Sequence, residues 1–95
     1  INGPITDETA TAVIAMLNLL DDMAPGKEIE LRINSPGGSV KAGLAIYDAL
    51  MSLHSDVRTV CEGQCASMAA FLLSVGAPGK RYATPSSTVM MHDIS

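Results

Sequence analysis

The sequence predicts an α/β domain, a mainly parallel sheet flanked by helices. Three observations carry that expectation. Stretches of three-and-four apolar spacing alternate with short strand-like runs along the chain. Glycine-bearing turns stand where those runs give way to helical segments. A content of 47% hydrophobic and 17% charged residues over 95 positions suits one packed domain and no disordered tail. Aromatics are scarce, with two Tyr, one Phe and no Trp, so Ala, Val, Leu, Ile and the six Met must build the core.

The elements follow in order. Ile1 to Ile5 reads as the end of a strand entering a turn. From Thr6 to Met23, Val13, Met16, Leu17, Leu20 and Met23 recur on one helix face, with Asp7 and Glu8 near the positive end of the dipole. Pro25-Gly26 ends that helix. Ile29 to Ile33 alternates apolar and polar residues and predicts a strand, which the turn Asn34-Ser35-Pro36-Gly37-Gly38 closes. Val40 to Leu53 resumes helical spacing through Leu44, Tyr47, Leu50 and Met51, and Val57 to Cys61 is a β-branched second strand. A third helix is expected from Ser67 to Val75, with Gly76 and Gly79 punctuating its exit. Lys80 to Ala83 and Thr88 to Met91 complete the order as short strands, the second carrying His92 at its end. The glycine turn and the Ser67 turn both fall where a strand's carboxyl end meets a helix start, which places them on one rim.

Composition narrows the function. A net charge of −4, with Lys and Arg scattered, offers no basic stripe for nucleic acid. No apolar run approaches the roughly 20 residues of a membrane span, and the amino terminus lacks a leader pattern, so a cytoplasmic or organellar location without membrane contact is expected. Cys61 and Cys65 are spaced as neither a redox pair nor half of a typical zinc site, and both read as reduced thiols. No metal or cofactor is expected. The abrupt ends suggest one partial domain over residues 1–95, a fragment of a longer chain.

Acyl transfer needs a nucleophile, a base and fixed donors for the oxyanion. Ser67, in Gly63-Gln64-Cys65-Ala66-Ser67-Met68-Ala69-Ala70, is suited to a strand-to-helix turn that presents a hydroxyl, although a serine there is also an ordinary helix cap. Gly37-Gly38 after Pro36 permits close backbone approach and free N–H groups, although an ordinary strand-to-helix turn has the same composition. A phosphate cradle is the rival there, but GxGxxG and GxxxxGK[ST] are both absent. His92 ends an apolar strand, His54 lies in a polar connection and receives no role, and Lys41 and Lys80 have no comparable context as bases.

Taken together, Ile33-Asn34-Ser35-Pro36-Gly37-Gly38, Ala42-Gly43, Ile46-Tyr47-Asp48, Gly63-Gln64-Cys65-Ala66-Ser67-Met68, Gly79-Lys80-Arg81 and Met90-Met91-His92 resemble the proteolytic subunit of the Clp protease. Twenty-nine positions from Gly38 to Ser67 and twenty-five from Ser67 to His92 agree with that likeness, which covers nearly the whole chain. The resemblance implies a crotonase-like spiral of strand-strand-helix units. It implies Ser67 as nucleophile, His92 as general base, and the N–H groups of Gly38 and Met68 as oxyanion hole. It makes Ser39 and Val40 part of an edge that pairs with an extended peptide substrate. It further implies heptameric rings stacked in pairs, an AAA+ unfoldase that uses ATP, and unfolded polypeptide as substrate.

The chain departs from the family pattern in three places. The family's aspartate lies beyond the histidine and after Ser95, and Asp93, on the opposite strand face from His92, is no substitute. Asp93-Ile94 stands where glutamine and proline are common, and Cys65 and Ala69 replace alanine and glycine. Two alternatives therefore stand beside the peptidase: a non-catalytic ring subunit, and a crotonase-like acyl-CoA enzyme. The fragment on its own is expected to be inactive.

Overall fold

The computed structural model describes residues 1–90; residues 91–95, with His92 and Asp93 among them, lie outside the described residues. Seven elements succeed one another in the order read from the sequence: α1 (Asp7–Met23), β1 (Ile29–Ser35), α2 (Val40–Ser52), β2 (Val57–Ala66), α3 (Met68–Ser74), β3 (Arg81–Ala83) and β4 (Thr88–Met90). β2 is the centre of the sheet. β1 pairs with it on one side, β3 and then β4 follow end to end on the other, and every one of these pairings is parallel.

Side-chain alternation decides which sheet face is covered. Ile29, Leu31, Ile33 and Ser35 of β1 are buried, whereas Glu30, Arg32 and Asn34 are exposed. The helices therefore pack on one face, where Leu17, Ile46, Leu50, Met68 and Leu72 close the core. The other face carries charge. Arg32 lies between Glu30 at 2.8 Å and Glu62 at 2.7 Å, and the Arg58 guanidinium stacks 4.4 Å above the Tyr82 ring.

Outside β1 runs the amino-terminal segment. The Gly3 N–H donates to the Asn34 carbonyl at 2.9 Å and the Asn34 N–H to the Ile1 carbonyl at 2.8 Å, so Ile1 to Ile5 lies as an extra strand-like edge. The gap between β3 and β4 is bridged by one hydroxyl. Ser87 Oγ accepts from the Gly63 N–H at 2.9 Å and donates at 3.0 Å to the Cys61 carbonyl, which also accepts the Thr84 N–H at 2.9 Å.

Three expectations need correction. On α2 the packed side is Ala42, Gly43, Ile46 and Leu50, while Leu44 and Met51 are 44% and 55% exposed. This helix is apolar around most of its circumference, and the small residues win the core side because they allow close approach to α3. A Cβ on Gly43 would meet the Met68 side chain at 2.2 Å. On α1, Leu17 is buried but Met16 and Met23 of the same apolar series are exposed, because the helix covers only the flank of the core. β2 does not stop at Cys61 but runs on to Ala66, since Gly63 is a bulge within the strand and not its end.

Candidate active site

The chain enters its candidate nucleophile through a register shift. Ile33 pairs with Cys61 but Ser35 with Cys65, so Asn34 alone faces Glu62, Gly63 and Gln64. Gly63 has φ +108°, and a Cβ on it would stand 2.8 Å from Asn34 Oδ1. That same oxygen accepts the Gln64 N–H at 3.1 Å and so ties the bulge to β1. Had the first register continued, Ser67 would have come opposite Ser39. The bulge advances β2 by two residues and brings Ser67 opposite Gly37.

Ser67 stands between β2 and α3 with φ 56° and ψ −122°, the one non-glycine residue with positive φ among the described residues. Such a conformation costs about 1–3 kcal/mol and persists only where the surroundings enforce it. Capping does not account for it. Its side chain makes no capping bond to α3, and its hydroxyl has no hydrogen-bond partner among the described residues. The backbone holds it from both sides: the Ser67 N–H donates to the Met90 carbonyl at 3.0 Å, and the Phe71 N–H donates to the Ser67 carbonyl at 3.2 Å. A strand-to-helix turn of this kind, with a strained serine at its tip, leaves the hydroxyl free to react.

The glycine turn abuts it. A Cβ on Gly37 (φ +103°) would stand 2.9 Å from the Ala66 carbonyl oxygen, 3.0 Å from Ser67 Cβ and 3.4 Å from the Met68 nitrogen, so only glycine lets the two turns approach this closely. The Ile5 N–H donates to the Gly37 carbonyl at 2.9 Å and the Ser39 N–H to the Ile5 carbonyl at 2.9 Å. Since backbone groups alternate sides along an extended segment, the Gly38 N–H points away from Ile5, toward the β2 side. It has no acceptor among the described residues, and neither does the Met68 N–H, which opens α3. The Met68 side chain is buried against Gly43, so its backbone is what faces the site.

Of the two edge residues, Ser39 is fully engaged. Its N–H goes to Ile5, its carbonyl accepts from Gly43 and its hydroxyl caps α2 by accepting the Ala42 N–H at 3.1 Å. Val40 begins α2 with an exposed side chain. Gly37 thus sets the glycine turn against Ser67 and Met68, with Gly38, Ser39 and Val40 following it along the chain, and His92 lies outside the described residues.

The other titratable groups lie elsewhere. Lys80 Nζ sits 2.9 Å from Glu28 and 3.4 Å from Asp56, beyond the opposite ends of the strands, and its hydrogen bond to Glu28 raises its pKa. His54 is an exposed side chain whose Nδ1 lies 3.1 Å from Asp21 Oδ2. Cys65, two residues before Ser67, is wholly buried, and burial, together with the neighbouring Cys61 thiol, pushes its thiol up to about 12. The thiol is thus both enclosed and protonated, which shields it from modification.

Three residues that hold the site were not singled out from the sequence. Ile5 pins the glycine turn, Asn34 ties the bulge, and Ser35 is wholly buried with its hydroxyl on Gly37. Only Ser35 had a local signal, a serine two residues before the glycine whose N–H it can bind. Among the described residues no group of three or more His, Cys, Asp or Glu converges as a metal site, and no helix is long and apolar enough to cross a membrane. Compared with known families, residues 1–95 match the family model described as Clp protease.

Proposed function

The chain belongs to the Clp protease family, and we propose that it is the serine endopeptidase subunit of such a protease, with Ser67 as nucleophile. The observation that carries this reading is the strained, uncapped Ser67 set against a glycine turn whose Gly38 N–H has no acceptor among the described residues. Strain of this kind has no use in capping and a clear one in presenting a hydroxyl.

In the proposed mechanism Ser67 Oγ attacks the scissile carbonyl while His92 takes its proton. The N–H groups of Gly38 and Met68 receive the developing oxyanion, and fixed donors there are worth about 3 kcal/mol each. His92 then returns the proton to the leaving amine, and water repeats the sequence on the acyl-enzyme. An acid after Ser95 would orient His92. The substrate is an unfolded polypeptide laid in extended form along the edge from Gly38 to Val40. With the Ser39 N–H already bonded and the Gly38 N–H directed at the oxyanion, pairing there would use the Val40 N–H.

Family membership implies oligomeric assembly and unfoldase partners in general. The finer proposals are stacked heptameric rings, an ATP-driven AAA+ unfoldase and a cytoplasmic or organellar site of action. In the complete protein, Ser67→Ala is expected to abolish covalent labelling by a serine-directed phosphonate. Labelling that persists in that variant would remove Ser67 from the mechanism.

A further inference from the structure

The glycine turn contains two adjacent N–H groups, and only one remains available to the site. Ser35 decides which. Its side chain is wholly buried at the end of β1, where its Oγ accepts the Gly37 N–H at 3.0 Å and lies 3.3 Å from the Gly37 carbonyl, to which its hydroxyl hydrogen is directed. The Ile5 N–H occupies the same carbonyl from outside, at 2.9 Å. Gly37 is thereby held at both ends of its peptide units, in the conformation that places it against Ser67 and Met68. The Gly38 N–H is left over, and it points to the β2 side.

We infer that Ser35 is a positioning residue for the oxyanion site: its hydroxyl withdraws the Gly37 N–H from the site and fixes the turn, so that the Gly38 N–H meets the developing charge. The inference rests on the peptidase reading of Ser67. Ser35 touches no substrate in this account and acts only through the two glycines. Without its hydroxyl, the Gly37 N–H has no partner in a buried turn, and the turn can relieve that by rotating its peptides, which moves the Gly38 donor off the oxyanion.

The test uses the complete, assembled protein with a short fluorogenic peptide, and a peptide boronate whose tetrahedral adduct on Ser67 places an oxygen where the oxyanion forms. Ser35→Ala should lower kcat about tenfold or more with KM within about twofold, and weaken the boronate by a similar factor. Ser35→Thr, which keeps the hydroxyl, should restore most of kcat, and Ser35→Cys, nearly isosteric and a weaker hydrogen-bonding group, should fall between. If Ser35→Ala does not assemble, the cysteine variant decides by itself. Wild-type kcat and boronate affinity in Ser35→Cys, or a rise in KM at constant kcat, would overturn the inference. Ser67→Ala, run in parallel, separates the two claims. If it still hydrolyses the peptide, the nucleophile assignment falls; if it is dead while the Ser35 variants match wild type, only the role of Ser35 falls.

Discussion

At the scale of single residues, Ser67 holds a conformation that disfavours any side chain, and what it gains is an unobstructed hydroxyl. Strain and function can be separated by substitution. Ser67→Ala removes the hydroxyl but keeps the Cβ, whereas Ser67→Gly removes both. The glycine variant is expected to be the more stable of the two by about 1 kcal/mol, since relief of positive φ outweighs the added freedom of the unfolded chain. Urea midpoints of the two variants check this, and equal midpoints would mean that the turn is unstrained. Gly37 presents the complementary case. Its missing side chain is what allows the two turns to touch, because a Cβ there would press on both the Ala66 carbonyl and Ser67.

At the scale of elements, two devices set the geometry. The first is the bulge in β2. Gly63→Ala combines a positive φ with a 2.8 Å encounter with Asn34 Oδ1, and is expected to cost about 2 kcal/mol. Because the bulge sets the register of Ser67, phosphonate labelling should slow in the same variant, and unchanged labelling would show that the strand tolerates the slip. The second device joins α1 to the connection before β2. Buried Asp21 accepts the His54 and Ser55 N–H groups at 3.1 and 3.0 Å and the Ser55 hydroxyl at 2.8 Å. The backbone bond from His54, and then the Ser55 hydroxyl, hold its carboxyl at about 2, below the ordinary 3.8. A lowered native pKa means that the folded state binds fewer protons. The stabilisation is therefore present above the ordinary value and is lost as the pH falls toward about 2. The stability difference between wild type and Asp21→Asn should be constant at neutral pH and shrink across that window. A difference that does not vary with pH would show that ionisation of Asp21 contributes nothing.

At the scale of the whole molecule, the two sides of the sheet serve different ends. One face is closed by helices, and the other is a lattice of exposed ion pairs that individually add little stability. The helical layer is itself apolar outside, with Val40, Leu44 and Met51 along α2 and Met16, Leu19 and Met23 on α1 all exposed. Family membership implies assembly, and apolar area of this kind is what assembly conceals. Replacing Leu44 and Met51 together by Glu should shift the complete protein toward smaller species in sedimentation, with the helix content unchanged. Wild-type sedimentation would place the contacts elsewhere.

The sequence by itself determined the order of elements, the helix-on-sheet class, and the pair of turns on one rim. Each of these follows from local periodicity and local turn chemistry, which a short window of residues contains. Ser67 was legible for the same reason, as a serine after small residues at a helix start. Tertiary structure alone decided the rest of the candidate site. Leu44 and Leu50 have equal hydrophobicity, yet only Leu50 is buried, because the choice of face depends on what α3 presents to α2. The second strand reads as ending at Cys61 but continues through a bulge at Gly63 to Ala66, because a bulge exists only relative to the partner strand. Which glycine N–H stays free depends on distant Ile5 as well as on nearby Ser35, and because Ile5 lies far from the turn along the chain, no short window of sequence contains both.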